Sequence, residues 1–254
     1  MTKPNESDRS GCERISTPYE AWSYRQSTDE EALSLCQKGY SLAESFTTKD
    51  KLLEEVSNHV QAAARMLREG ADNALERHID KALSASSEYR DLRNLMPSNV
   101  PQALSAYQAE FSEADLSAAD SAIKAIGVTM PNGQFLFHGG LWPLGVQTFT
   151  TTRPFSTSFC PQVARKNAEW KSKAYDAGRM DLMVVHVIQP QTKAYAYSRD
   201  GDHGNEKEVV FATGAQLTLT RETHIADVTA YKVGPCYETL KRTGPAYLVE
   251  IDIS

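Results

Sequence analysis

Two periodicities divide the chain. From Ser27 to Gly127 apolar residues recur every three or four positions, the spacing of one helix face. Beyond Gly127, short alternating or β-branched runs replace them. Ser27-Thr28-Asp29-Glu30-Glu31 offers a capping box from Ser27 to Glu30 or from Thr28 to Glu31, opening a helix to about Glu44. Thr47-Thr48-Lys49-Asp50 precedes Leu53, Val56, Val60, Ala63 and Leu67, which predict a helix ended by Gly70. Leu75, Ile79, Ala82 and Leu83 predict a third, with Tyr89, Leu92 and Leu95 on its extension or on a fourth. Pro101 can open another, carrying Leu104, Tyr107 and Phe111. Ser112 to Asp115 restart the pattern for Leu116, Ala119, Ile123 and Ile126.

Strands are predicted over residues 134–138, 147–152, 156–159, 182–188, 193–197, 209–212, 216–221, 224–233 and 247–253, interrupted by one helix from Pro161 to Ala177. Helices first and strands afterwards predict an α+β fold. The pattern divides the chain into a polar, flexible arm over 1–26, anchored at its end by Trp22 and Tyr24, a helical region over 27–126 and a strand-rich domain over 127–254.

The candidate chemistry lies in the strand-rich part. In Gly204-Asn205-Glu206-Lys207-Glu208-Val209-Val210-Phe211, two carboxylates spaced i, i+2 precede a β-branched run. On an extended segment they point the same way. They are either a pair facing one cleft from the mouth of a strand or a solvated strand edge. Upstream lie Phe155-Ser156-Thr157-Ser158-Phe159 and Phe135-Leu136-Phe137-His138-Gly139-Gly140. Taken in order, a strand ending in Arg/His-Gly, a strand carrying S-T-S and a strand opening with E-x-E resemble the core of the mono-ADP-ribosyltransferases. That NAD-consuming family includes many bacterial toxins, and the resemblance covers roughly residues 130–254.

The resemblance implies a core of two packed, mostly antiparallel sheets with an NAD cleft between them. It assigns Glu208 to the cation formed at C1′ of the ribose, with a hydrogen bond to the 2′-hydroxyl. Glu206 becomes the base that takes a proton from the acceptor, and Ser156 the residue that bonds Glu208 and orients nicotinamide. Thr157 and Ser158 hold the strand at the NAD site. Phe155 and Trp170 are candidates for an aromatic wall, and the loop Ser198–Asn205 lies where the family has its target-recognition turn. His138 stands where the S-T-S/E-x-E branch has arginine; it reads as an NAD contact, with Gly139 beside it, or as a core histidine. A neutral histidine supplies little fixed charge, so Arg153 or Arg165 is assigned to the pyrophosphate. An E-x-E pair implies arginine of a protein as the acceptor, with an RNA or other nucleic-acid base as the alternative. A degenerate module that binds NAD or a partner without turnover is the non-enzymatic reading.

Composition narrows this picture. The 41% hydrophobic and 24% charged residues are ordinary for a globular chain. Residues 1–126 hold 14 Lys+Arg against 21 Asp+Glu, net −7, and residues 127–254 hold 13 against 12, net +1. Such an acidic chain is not built for nonspecific nucleic-acid binding; its acidic helical region could seat an antitoxin, an immunity protein or a chaperone. Cys12, Cys36, Cys160 and Cys236 are scattered, which gives neither a zinc pattern nor a disulfide framework. Asp200-Gly201-Asp202-His203-Gly204-Asn205 lacks the glycine and glutamate of a calcium loop, so no metal is expected. Rossmann, P-loop, α/β-hydrolase and zincin motifs are absent. No apolar run spans a bilayer and the start lacks an apolar signal core. The expectation is a cytoplasmic protein, or one delivered to a target cell without a Sec-type signal, with no membrane association.

Overall fold

Strand pairing begins earlier than the periodicity predicts. In the computed structural model, which describes residues 18–111, 114–201 and 203–254, Tyr19–Gln26 (β1) and Thr47–Val56 (β2) form an antiparallel ribbon, with Tyr19 opposite Val56 and Gln26 opposite Thr47. Between them lie Asp29–Gln37 (α1) and Leu42–Ser45 (α2). Thr28 and Glu31 form the capping box of α1, and Ser41 and Glu44 repeat the device for α2. The described residues from 18 to 58 fall in one unit of the fold, and those from His59 onward in the other.

Two expectations are corrected here. Tyr19–Gln26 lie within the predicted arm, whose residues 1–17, including Cys12, are outside the described part of the chain. The segment from Thr47, read as a helix, is a strand: its two threonines favour extended backbone, and Lys49 pairs across the ribbon with Glu20 at 3.7 Å and lies 4.8 Å over the Trp22 ring. Leu53, counted as a helical core position, is exposed. The helical period actually starts at His59.

The larger unit opens with His59–Glu69 (α3), Asn73–Ala85 (α4), Ser87–Asn94 (α5), Gln102–Ala109 (α6) and Leu116–Ile126 (α7). Each buries a stripe: Ala62, Ala63, Met66 and Leu67 on α3, Leu75, Ile79 and Leu83 on α4, Ala119 and Ile123 on α7. Ser112, where the helical pattern was expected to restart, lies outside the described residues, and Asp115 caps α7. Val128–Thr129 (β3), Phe135–Gly140 (β4), Thr148–Thr150 (β5), Phe155–Ser158 (β6), Pro161–Glu169 (α8), Lys173–Ala177 (α9), Met180–Val187 (β7), Lys193–Ala196 (β8), Glu208–Phe211 (β9), Gln216–Val233 (β10) and Thr239–Ile253 (β11) complete it. The helix expected over 161–177 breaks at Lys171 and Ser172, whose φ values of 52° and 63° are left-handed. The two strands predicted between Gln216 and Val233 are one, bent by irregularities at Leu219/Arg221 and His224/Ala226.

Among the described residues, the strand-rich region of this unit forms a single hydrogen-bonded sheet of nine strands in the order β3-β8-β9-β6-β4-β7-β11-β10-β5, where two packed sheets were expected. The pairs are antiparallel except β7 with β11. One junction is thin: β4 meets β6 only at Phe137 opposite Ser158. Continued register would set Gly139 opposite Ser156, but there the strands part. The sheet is therefore two wings joined by one rung. α3 and α8 pack on the β7 wing, and β7 reads Met-Asp-Leu-Met-Val-Val-His-Val because only His186 along it escapes full burial.

Candidate active site

Register brings Ser156 and Glu208 together. Glu208 opens β9 opposite Ser158, and Ser156 lies two residues back along β6, on the same face as the pleat requires. The Ser156 hydroxyl donates to Oε1 of Glu208. Thr157, on the opposite face, donates from Oγ1 to the Val209 carbonyl at 2.7 Å; Ser158 donates to the Glu206 carbonyl at 2.6 Å and accepts from the Cys160 amide at 3.0 Å. One hydroxyl of the triplet thus reaches the carboxylate, and the other two tie backbone.

Glu206 reaches the same place by another route. It ends a 3₁₀ turn, Gly204–Glu206, and Lys207 at φ 50° separates that turn from β9. The two glutamates are therefore not successive positions of one extended strand, contrary to the i, i+2 argument. They nevertheless line one small cleft with Ser156, Thr157, Ser158, Val163 and Asn167. Gly204 closes the loop so tightly that a Cβ would stand 1.9 Å from the Arg199 carbonyl oxygen.

Burial dominates the electrostatics. Glu208 is only 8% exposed, and desolvation pushes its carboxyl up to about 7; the Ser156 hydrogen bond opposes this and the Glu206 charge adds to it. Burial also raises Glu206, against the pull of His203. Oε2 of Glu208 is buried without a hydrogen-bond partner, as is Nε2 of Gln108. Gln108, on α6, still lies close enough to favour the ionised carboxylate. Tyr107 beside it is raised first by its own burial and then by the Glu208 charge.

His138 sits at the thin junction. Its Nδ1 lies 2.6 Å from the Ser156 carbonyl oxygen, the group that the missing Gly139 rung would have engaged. Burial lowers its pKa to about 4, so the ring is neutral near pH 7. A carbonyl can only accept, which puts the proton on Nδ1 and leaves the Nε2 lone pair over Gly140, where a Cβ would come within 2.7 Å. Phe155 flanks the ring, centroids 4.5 Å apart. Gly139 has a packing cause: a Cβ there would lie 1.7 Å from the Ala164 carbonyl oxygen of α8.

The cations divide. Arg165 is held by Glu169 at 3.1 Å. Arg153 lies over the Phe111 ring at 5.7 Å, and Lys173 donates to the Asn167 carbonyl at 3.2 Å. Among the described residues no carboxylate pairs with either. Their charges lower His138, and Arg153 and Lys171 depress Lys173 after its own desolvation. Trp170 is 62% exposed at the helix break. Asn167 and Gln108 escaped the sequence reading. Asn167 follows Val163 by one helical turn, a spacing visible in sequence. Gln108 lies far upstream and carries no signal. Among the described residues no group of three or more His, Cys, Asp or Glu could hold a metal, and no helix is long and apolar enough to cross a membrane.

No protein-family model and no curated protein matches the chain. Solved structures that resemble it include ADP-ribosyltransferases. The enzymatic component C2-I of the C2 toxin from Clostridium botulinum shares 10% identity at a TM-score of 0.38, over 65% of this chain and 45% of that one. ADP-ribosyltransferase Vis in complex with agmatine, a Vibrio splendidus toxin, shares 13% at 0.35, over 91% and 87%. The catalytic domain of VahC from Aeromonas hydrophila shares 15% at 0.30, over 70% and 99%. The chain thus spans less than half of the C2-I length. At such identities the functional argument rests on the side chains.

Proposed function

We propose that the protein is an NAD-dependent mono-ADP-ribosyltransferase that modifies a macromolecule, with protein arginine as the acceptor. The observation that carries the reading is the convergence of Ser156, Glu208 and Glu206 on one cleft from three separate backbone settings. Glu208 is fixed by Ser156 on one oxygen, and the other, Oε2, is buried near the Gln108 amide without a hydrogen bond of ordinary length, so that it can take a further donor. A ribose hydroxyl is a donor of that kind. As the bond from C1′ to nicotinamide breaks, nicotinamide leaves neutral with the bonding pair, and the sugar becomes cationic. The ionised Glu208 stabilises that charge in a water-poor setting, where such an effect is worth several kcal/mol. The acceptor nitrogen then attacks C1′ and loses its proton to Glu206, whose raised pKa makes it the better base.

Arg153 and Lys173 fit the pyrophosphate, since both are cations near His138 that no carboxylate among the described residues neutralises. His138 then contributes an uncharged lone pair. The second reading, a nucleobase acceptor, is favoured by Lys166, Lys171 and Lys173 along the broken helix. The acidic N-terminal half remains the proposed seat of a neutralising or chaperoning partner, and a host cytoplasm the proposed site of action. The test is to incubate the protein with adenine-labelled NAD and target-cell lysate. Label in protein, released by protease and not RNase, is expected; the converse replaces arginine with a nucleobase, and absence of both labelling and nicotinamide release refutes the enzyme.

A further inference from the structure

Between the two glutamates stands a lysine that is almost wholly buried and turned the other way. Lys207 is 3% exposed, and its ammonium donates to Oε1 of Glu76 at 3.1 Å and to the Asn205 carbonyl at 2.9 Å, with Asp80 at 3.3 Å. Glu76 and Asp80 are one turn apart on α4, and Arg199, at the other end of the loop, reaches the same turn: its guanidinium bonds Asp80 Oδ1 at 3.2 Å, the Asp80 carbonyl at 3.1 Å and Ser84 at 2.8 Å. Gln162, 2% exposed on α8, donates to the other oxygen of Glu76 at 2.6 Å and to Asn73 at 3.0 Å, and accepts from the Asp72 amide at 2.7 Å. The loop is thus pinned at both ends to one helix by buried or half-buried charge.

The pin bears on the backbone. Lys207 adopts a left-handed φ of 50°, a conformation that a long side chain takes only when its surroundings impose it. That twist turns Glu206 off the line of β9 while Glu208 stays on it. An unpaired buried ammonium is strongly disfavoured, so the ion pairs and the twist stand or fall together.

We infer that Lys207, held by Glu76 and Asp80 of α4, is a positioning residue that sets Glu206 against the acceptor, so that α4 belongs to the acceptor side of the site. This rests on the proposed transferase function, with Glu206 as the acceptor's base. The side-chain contacts of the pin touch neither Ser156 nor Glu208, so NAD cleavage is expected to depend on it far less than transfer does.

The experiment compares the wild type with the double variant Glu76→Gln/Asp80→Asn, with Lys207→Met and with Lys207→Arg, measuring nicotinamide release, ADP-ribosyl transfer and hydrogen exchange of residues 199–207. Transfer by the first two is expected to fall roughly 10–100-fold, with nicotinamide release changed by no more than about threefold and loop exchange accelerated. Lys207→Arg, which can still reach both carboxylates, should recover most of the transfer. Equal loss of both activities, or unchanged transfer, overturns the inference. A wild type without either activity refutes the transferase reading instead; the exchange data then decide alone, and unaltered loop protection in the variants shows that the pin does not hold the loop.

Discussion

Glu208 and Glu206 are two residues apart, yet different physics holds each. Glu208 belongs to a ladder: β9 pairs with β6 on one side and β8 on the other, and Val209, Val210 and Phe211 behind it are fully buried. Glu206 belongs to a loop whose shape depends on a tight glycine closure and on ion pairs to α4. Backbone pairing in a sheet is cooperative and hard to shift locally, whereas a loop on side-chain anchors can be re-aimed by changing a few charges. In the proposed reaction, bond breaking would thus rest on the rigid element and acceptor choice on the adjustable one, an arrangement that would let a scaffold change targets without rebuilding its chemistry.

The largest expected effect breaks the rigid side. Glu208→Gln should lower both nicotinamide release and transfer by about a thousandfold or more, because it removes the charge beside the cation. Next, Glu206→Gln should lower transfer by roughly a hundredfold, while water still accepts the sugar and nicotinamide release stays within a few-fold. Equal losses in the two variants would erase the distinction between ladder and loop. A third outcome follows from pH. With the Glu208 carboxyl near 7, kcat/KM for NAD hydrolysis should rise about tenfold per unit below pH 7 and level above it; a profile already flat from pH 5 would mean that Glu208 is ionised throughout. His138→Ala, which removes a ring contact but no charge, should raise the KM for NAD by roughly tenfold with a smaller change in kcat.

The smallest effect concerns stability. A carboxyl raised from 4.5 to about 7 on folding favours the folded state at low pH; that advantage is lost as pH rises from the unfolded value through the folded one. Ionised Glu208 therefore weakens the fold by about 3 kcal/mol above pH 7. Glu208→Gln should melt several degrees higher than the wild type at pH 8.5, with the gap closing toward pH 4 in thermal scans.

Much of the site was visible in the sequence, and the reasons differ by residue. The contact of Ser156 with Glu208 follows from two strand motifs whose residues alternate, so register alone could bring them together. The backbone roles of Thr157 and Ser158 follow likewise. Glu206 was placed in the right cleft by a wrong argument, since the left-handed turn at Lys207 is a tertiary effect that no local pattern announces. Lys207 received no role from the sequence; only the folding of α4 against the loop shows it to be buried. The β1–β2 ribbon was missed because Leu53 and Val56 happen to fall on a helical spacing, while the pairing partner that decides the matter is some thirty residues away.

The single rung between β4 and β6 has a thermal consequence. His138 lies on one wing, Ser156 and Glu208 on the other, and the imidazole spans the gap by taking the Ser156 carbonyl. A boundary with so little backbone pairing is where a sheet opens first, as a partial fluctuation well below the free energy of global unfolding. If the proposed NAD site is right, warming should erode the grip on NAD at temperatures where both wings still hold their amide protons, so that affinity for NAD is lost several degrees before the protein melts.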